Sequence, residues 1–237
     1  MLESHYSSRR GVQPTVVVLH LSGSWLEPDR LLRTYARQGT SSHFAIGRLG
    51  IVRQFVPLSA RAWSDGGGLF PSDEALDTAV RVQRRLRHEG RSERDAYLMS
   101  GVAGLEQYKR PDLNSRSISI EIANLGRLGS GSLARLDPRR VFTGAHRNTR
   151  GRSQKWECFS PETTMALSGL IRAITNEVPS ARWITGHEDV INDRHGHRET
   201  KLGPGPAFED IMDDIDFHGL SYVRYHFPNR KFLVGLK

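Results

Sequence analysis

Apolar residues recur along this chain with the two spacings that predict strands and helices. Residues 15–19 form a continuous run of β-branched and aliphatic side chains, which is typical of a strand buried on both faces. Residues 42–46 and 51–56 flank a short loop that contains glycine, and this pattern predicts a β-hairpin. Residues 117–123 place an isoleucine at every second position, as a strand with two different faces requires. Residues 182–185 predict a further short strand.

Three other segments carry apolar residues at helical spacing. The first covers residues 28–38 and should end at Gly39, and the second covers residues 73–88. The third begins at Ser160, an N-cap residue that proline follows. Its apolar stripe consists of Leu167, Leu170, Ile171, Ile174 and Val178. Because strands and helices mix without repeats of solenoid length, the sequence predicts one layered α/β unit.

The regions between these elements suggest a division of the chain. We interpret residues 1–13 as an N-terminal extension, residues 14–216 as a single domain and residues 217–237 as a C-terminal tail. Within the domain, residues from about 125 to 155 are rich in Gly, Ser and Arg with little periodicity, which predicts a long surface insertion. Residues 62–68 predict a flexible glycine-rich loop. The tail is aromatic and basic, and it docks either on its own domain or on a partner.

The composition excludes several classes of protein. A chain of 237 residues is long enough for one sizeable core, and 37% hydrophobic with 25% charged residues is too polar for a membrane protein. No apolar run approaches the roughly 20 residues that span a bilayer. Since no apolar segment precedes the first strand, we expect synthesis in the cytoplasm without a signal peptide. The single Cys158 excludes an internal disulfide and a cysteine-rich zinc site.

The charge balance favours a polyanionic partner. Lys and Arg number 34 against 26 Asp and Glu, which gives a formal net charge of +8. Such a charge steers the chain towards a nucleic acid or an anionic bacterial envelope, and charge alone does not separate the two. The arginine-rich residues 81–88 have helical spacing and lack interleaved aromatic residues for base stacking, so a solvated helix face explains them.

Two histidines stand out as candidate metal ligands. His20 follows the apolar run at 15–19, and His187 follows the strand predicted at 182–185. If these strands are neighbours in one sheet, both imidazoles lie at the same end of it. A catalytic zinc site uses three protein ligands and keeps one position open for water. A lone histidine at a strand end is more often a structural residue, so the prediction depends on the pair.

Six segments, taken in order, resemble the zinc-dependent N-acetylmuramoyl-L-alanine amidases, the group that includes T7-type lysozymes and the peptidoglycan recognition proteins. The matching segments are residues 18–22, 42–46, 61–63, 117–124, 186–189 and 201–208. The resemblance covers about residues 14 to 212, and the ordered set is more specific than any single segment. It implies a single α/β domain in which helices flank a central mixed β-sheet, with a shallow groove for a glycan-peptide chain.

The resemblance also implies roles for individual residues. His20 and His187 would hold Zn²⁺, Glu121 would act as the catalytic acid and base, and Lys201 would stabilise the oxyanion. Trp63 either stacks on a sugar or closes the edge of the core. Asn124, next to the glutamate strand, is a candidate substrate-binding residue.

The chain departs from the family pattern at two positions. Where the family has an Asp or Cys ligand immediately before Pro-Gly-Pro, this chain has Gly203, which has no side chain to bind zinc. The segment 191–200 offers His197 as the first candidate for a replacement, followed by His195 or Asp193. That segment is otherwise a polar surface loop without a role. Ser42 occupies a position where some members have tyrosine.

The sequence therefore predicts a zinc-dependent peptidoglycan amidase that cleaves the bond between N-acetylmuramic acid and L-alanine, in a bacteriolytic role. A non-catalytic peptidoglycan-binding protein that lost its third ligand is the alternative, and nucleic-acid binding is a weaker one that we do not expect. The expected partners are peptidoglycan or muropeptides, met in the cell wall or periplasm. A phage lysin, a cytoplasmic recycling enzyme and a component of a secretion or injection machine all fit this sequence.

Overall fold

Seven strands form one central sheet whose middle five strands are parallel. In order across the sheet they are β13 (Lys231–Gly235), β12 (Ser221–His226), β10 (Trp183–Gly186), β2 (Val16–Leu21), β7 (Ser117–Ile122), β3 (Phe44–Ile46) and β4 (Val52–Gln54). The two edge strands, β13 and β4, run antiparallel to their neighbours. The sheet is therefore mixed, as the family resemblance implies, and the predicted hairpin at residues 42–56 is confirmed as β3 and β4.

The computed structural model describes residues 5–65, 68–90, 113–145, 152–192, 205–211, 214–226 and 231–235. Three further pairs of antiparallel strands lie outside the central sheet. They are β1 (Tyr6–Ser8) with β5 (Ala60–Ala62), β6 (Gly68–Leu69) with β11 (Ile191–Asn192), and β8 (Val141–Ala145) with β9 (Ser153–Glu157). The pair β6 and β11 matters most here, because it ties the loop after β5 to the segment that follows His187.

Helices flank this sheet. They are α1 (Pro28–Gln38), α2 (Asp73–His88), α3 (Leu113–Arg116), α4 (Ser130–Leu133), α5 (Pro161–Glu177) and α6 (Pro206–Ile211), with 3-10 turns at Pro138–Arg140 and His187–Asp189. All three helices that the sequence predicts are confirmed. Helix α1 ends where Gly39 adopts a φ of 67°, and the Ser160 side chain caps α5 by accepting a hydrogen bond from the Thr163 N–H. Within the described ranges, we find no helix with the length and hydropathy of a membrane span.

The two faces of the sheet pack against different layers. On one face, the isoleucines of β7 pack with Val17 and Leu19 of β2 and with the apolar stripe of α5. On the other face, Val16 and Val18 pack with Trp183 and with Leu76 of α2. This division follows from the two-residue period of a strand, and it leaves every second residue of β2 and β7 facing the α2 side.

The region from about residue 125 to 155 is more regular than the sequence predicted. Instead of an insertion with little regular structure, it contains α4 and the hairpin of β8 and β9. Trp156 is fully buried in the main core, and its indole N–H donates to the Gly144 carbonyl at 3.0 Å. One buried aromatic residue anchors this hairpin, and such an anchor leaves no repeated apolar pattern in the sequence.

Both ends of the described chain contact the domain. In the N-terminal segment, β1 pairs with β5, and the Arg9 side chain is buried. In the C-terminal segment, β12 lies beside β10 in the central sheet, and Phe217 and Tyr222 are buried in the main core.

Candidate active site

The fold brings the two predicted metal ligands together. Strands β2 and β10 are parallel neighbours with Leu19 opposite Gly186, so His20 and His187 emerge at the same, carboxyl edge of the sheet. Their ring centroids lie 4.2 Å apart, at an angle of 63° between the ring planes. His20 is 3% exposed and His187 is 6% exposed. The order of the strands therefore brings these two residues together, although they are far apart in the sequence.

Glu121 lies on the next strand, beside His20. In the pairing of β2 with β7, His20 is directly opposite Glu121, and neighbouring strands lie about 4.8 Å apart. Glu121 is on the opposite face from the three isoleucines of its strand, and only 8% of its surface is exposed. The carboxylate is thus on the same side of the sheet as the His20 ring.

Tyr35 of α1 is a neighbour of the Glu121 carboxylate. Its hydroxyl lies near enough to Glu121 and Ser42 for both groups to change its pKa. Burial and the neighbouring Glu121 charge raise the pKa of Tyr35 far above its usual value. The phenol therefore stays protonated and keeps a hydrogen to donate to the carboxylate. The ring is held by an edge contact with Phe55, at 6.1 Å between centroids.

Asp65, in the loop after β5, lies close to both histidines. Its Oδ1 lies 3.1 Å from His20 Nε2, and the residue is 3% exposed. Burial alone would raise the pKa of Asp65, but the contact with His20, the charge of His187 and the Ser117 hydroxyl together lower that pKa to about 2. The carboxyl group is therefore ionised at neutral pH. The sequence predicted only a flexible loop here.

The cluster fits a zinc ion by the type and spacing of its donors. One ligand atom from each of His20, Asp65 and His187 lies within 4.8 Å of the other two. Across the ranges that the structure describes, this is the single group of three His, Cys, Asp or Glu side chains with such geometry. Neither His20 Nε2 nor Asp65 Oδ1 makes a hydrogen bond to any other described group. Two imidazoles and a carboxylate are a donor set that catalytic zinc uses.

A buried polar network of Arg9, His43, Ser117 and Ser119 lies next to the site. Arg9, from the N-terminal segment, donates to the carbonyl oxygen of Ser117 at 2.8 Å and lies 2.8 Å from His43 Nε2. The other ring nitrogen of His43 is 3.1 Å from the Ser119 hydroxyl. Burial and the Arg9 charge lower the pKa of His43 to about 3, so this ring is neutral. The network holds the polar face of β7 in place.

Four residues with predicted roles lie outside the described ranges. They are Lys201, the predicted oxyanion group, and the candidate third ligands His197, His195 and Asp193. Their roles stay predictions from the sequence.

Two other residues with predicted roles are placed by the structure. Trp63 is 36% exposed, and its indole N–H donates to the Ser7 hydroxyl at 3.3 Å. Asn124 is buried and closes a turn, because its carbonyl oxygen accepts from the Gly126 N–H at 2.7 Å while its amide donates to the Glu157 carbonyl at 3.4 Å. Their contacts to substrate stay predictions.

Sequence reasoning missed Asp65 and Tyr35. For Tyr35 a signal existed, since it lies four residues after the buried Leu31 and so shares the inner face of α1. For Asp65 the signal was weak. A single acidic residue beside three glycines is typical of a solvent-exposed loop, and only the tertiary structure brings it to His20.

A solved structure shares the fold of this chain at low sequence identity, and others are similar to it. An AmpD derivative superposes with a TM-score of 0.50 at 18% identity, covering 90% of this chain and 90% of that protein. AmiD from E. coli, solved with the substrate anhydro-N-acetylmuramic acid-L-Ala-D-γ-Glu-L-Lys, gives 0.49 at 17% identity over 86% of this chain and 62% of that protein. AmpDh3 from Pseudomonas aeruginosa gives 0.49 at 18%, over 89% and 61% respectively. The comparison with curated proteins finds no match.

A family model identifies the chain more directly than these structures do. The model described as N-acetylmuramoyl-L-alanine amidase matches residues 10–206, which includes β2, β7 and β10 with His20, Glu121 and His187. The match confirms the resemblance that the sequence segments carry, and it confirms the predicted enzyme class. This chain therefore belongs to the N-acetylmuramoyl-L-alanine amidase family of peptidoglycan hydrolases.

Proposed function

We propose that this amidase depends on zinc and hydrolyses the amide bond between the lactyl group of N-acetylmuramic acid and L-alanine. The observation that carries the proposal is the convergence of the His20 and His187 rings, 4.2 Å apart, at the sheet edge beside Glu121. Two buried imidazoles and a neighbouring carboxylate are a costly arrangement for stability alone, since buried polar groups need partners.

His20 and His187 would hold the zinc ion in this arrangement. Bound zinc would polarise the scissile carbonyl group and make a water molecule acidic enough to attack near neutral pH. The apolar layer of Val16, Val18 and Trp183 beneath these residues keeps bulk water away from the base of the site. Such exclusion of water strengthens electrostatic interactions within the site.

Glu121 would carry the proton during the reaction. Its carboxylate takes a proton from the attacking water and returns one to the departing amine of L-alanine. A hydrogen bond from the neighbouring Tyr35 hydroxyl would limit the orientations that the carboxylate can adopt. The predicted role of Lys201 completes the reaction, since a fixed cation near the scissile carbonyl would stabilise its developing negative charge.

The proposed substrate is peptidoglycan or a muropeptide, and the proposed place of action is the cell wall or periplasm. The net charge of +8 supports whole wall over small fragments, because a basic protein is attracted to an anionic polymer. This bacteriolytic role is tested by comparing the rate on sacculi with that on a soluble muropeptide, at low and high salt. We expect the rate on sacculi, and not the rate on the muropeptide, to fall with salt.

Hydrolysis itself is tested on a soluble muropeptide that carries an N-acetylmuramoyl-L-alanyl peptide. Mass spectrometry would detect the sugar acid and a peptide whose new amino terminus is L-alanine. A chelator should abolish the reaction, and added Zn²⁺ should restore it. His20→Ala should lose both the reaction and the bound zinc.

The non-catalytic alternative predicts a different result in the same assay. A metal-free protein that binds sacculi and releases no peptide would contradict the proposed function and support the binder. Salt-sensitive association with DNA that survives loss of both histidines would instead support nucleic-acid binding.

A further inference from the structure

The loop after β5 supplies a carboxylate where the zinc site needs a third ligand. Asp65 lies far along the chain from Gly203, which occupies the position before Pro-Gly-Pro and has no side chain to bind zinc. We propose that Asp65 is the third zinc ligand of this protein, so that the metal is held by His20, His187 and Asp65. The proposal rests on the zinc dependence proposed above and adds the identity of the ligand.

The geometry of the carboxylate supports a ligand role. Asp65 Oδ1 lies 3.1 Å from His20 Nε2, and the group of three donors fits within 4.8 Å. The second oxygen, Oδ2, accepts a hydrogen bond from the Ser117 hydroxyl at 2.8 Å. One oxygen is therefore fixed by the protein while the other points to the histidines. Metal-binding carboxylates are commonly oriented in this way by a second hydrogen bond.

The backbone at Asp65 is also fixed. The side-chain oxygen of Asn114 accepts hydrogen bonds from the Asp65 N–H at 2.9 Å and from the Ser64 N–H at 3.3 Å. Asn114 belongs to α3, which leads directly into β7. The Asp65 loop is thus anchored to the strand that carries Glu121. A ligand held by its backbone and by its far oxygen needs little reordering to bind a metal.

The loop is packed against the segment that carries His187. Strand β6 pairs with β11, and the Gly68 N–H donates to the Asp65 carbonyl at 2.9 Å. A Cβ atom at Gly68 would lie 2.2 Å from the Val190 side chain and 3.0 Å from the Asp65 carbonyl oxygen. Glycine at this position therefore allows the close approach that brings Asp65 to the edge of β10.

The competing explanation is a structural ion pair between Asp65 and His20 without a metal. The two explanations differ in what Asp65→Asn does to zinc binding. We would measure zinc per chain by mass spectrometry and the zinc dissociation constant by competition with a chelator, on the full chain. The absorption spectrum of the Co²⁺-substituted protein reports the ligand set independently of activity. Thermal unfolding of the metal-free proteins checks that each variant folds.

Under the proposal, Asp65→Asn raises the zinc dissociation constant by more than about 100-fold, beyond the effect of losing an outer partner of a ligand. Ser117→Ala removes only the hydroxyl that holds Oδ2, so it should weaken zinc binding by about 10-fold and keep the fold intact. His197→Ala, which removes the first sequence-based candidate, and the exposed control Asp216→Asn should leave the constant unchanged. The Co²⁺ spectrum should change in Asp65→Asn alone among the Asp65, His197 and Asp216 variants.

The proposal is overturned if Asp65→Asn binds zinc like the wild type, or if His197→Ala loses zinc while Asp65→Asn retains it. In those cases a wild type that binds one zinc and cleaves the muropeptide leaves the proposed function standing. A wild type that folds and binds no zinc overturns both proposals at once.

Discussion

The two faces of β7 differ in role: one face stabilises the fold, and the other carries polar groups of the candidate active site. Ile118, Ile120 and Ile122 face α5 and are fully buried in the main core. The intervening residues Ser117, Ser119 and Glu121 are buried as well, yet each carries a polar group. A strand that only needed burial would be apolar on both faces, as central parallel strands usually are.

The difference lies in what each face contacts. The isoleucine face contacts other apolar side chains, whereas on the polar face Ser117 binds Asp65, Ser119 binds His43 and Glu121 lies near Tyr35. Burying polar groups is unfavourable unless they form hydrogen bonds, and the hydroxyl groups of Ser117 and Ser119 both do. The polar face therefore serves to position Asp65 and Glu121 at the sheet edge.

The largest expected effect is on catalysis, through the polar face. Glu121→Gln keeps the shape of the side chain and removes its ability to accept a proton, so kcat should fall by about 10²- to 10⁴-fold. Zinc content and the free energy of unfolding should stay near the wild-type values. Ile122→Val, the neighbouring position on the other face, is the matched control and should keep its kcat. A Glu121→Gln enzyme with wild-type kcat would break the assignment of chemistry to this face.

The opposite result is expected from the apolar face. Ile120→Ala leaves a cavity in a fully buried position and should lower the free energy of unfolding by about 2–5 kcal/mol. Chemical denaturation measures this change, and kcat per folded molecule, measured well below the unfolding midpoint, should stay unchanged. A drop in kcat without a loss of stability would show that the two faces are not separate.

A smaller effect should follow from loss of the Tyr35 hydroxyl. Tyr35→Phe removes the hydroxyl that neighbours the Glu121 carboxylate. A hydrogen bond to a charged group is worth about 1.5–3 kcal/mol, so kcat should fall by about 10- to 100-fold. Because the hydroxyl orients Glu121 and does not bind the metal, zinc affinity and KM should not change. If instead KM rises while kcat is constant, Tyr35 contacts the substrate and does not position Glu121.

The smallest expected effect is a pH dependence of stability that arises from His43, which contacts the polar face of β7. The pKa of His43 is lowered to about 3 in the folded protein, whereas an unfolded histidine titrates near its ordinary value of about 6.5. Between these values the unfolded chain binds the additional proton, so acid favours unfolding. Between pH 6.5 and 5 the free energy of unfolding should fall by about 1.5 kcal/mol through this group.

Comparison with His43→Gln isolates the contribution of this ring. Denaturation of both proteins in the presence of a chelator, across the same pH range, gives the difference in slope. If the free energy of unfolding depends on pH with the same slope in both proteins, the contacts with Arg9 and Ser119 do not keep His43 neutral.

The predictability of the fold and of the site differed for a physical reason. Strands β2, β3, β4, β7 and β10, the three predicted helices and the convergence of His20 with His187 follow from local periodicity and from the order of strands. Strands β12 and β13 were not predicted, since they lie in residues that the sequence analysis assigned to a tail. Asp65 reaches the site through a glycine-containing loop that Asn114 holds, and such contacts leave no periodic pattern. The hairpin of β8 and β9 was missed similarly, since few of its residues, chiefly Trp156, anchor it in the core.

The most direct test of this account is anomalous X-ray scattering at the zinc edge from crystals of the full chain grown with Zn²⁺. We predict one peak per chain, about 2.0–2.2 Å from a nitrogen of each of His20 and His187 and from an oxygen of Asp65. Crystals that contain ordered His20 and His187 side chains and show no peak between them would contradict the account.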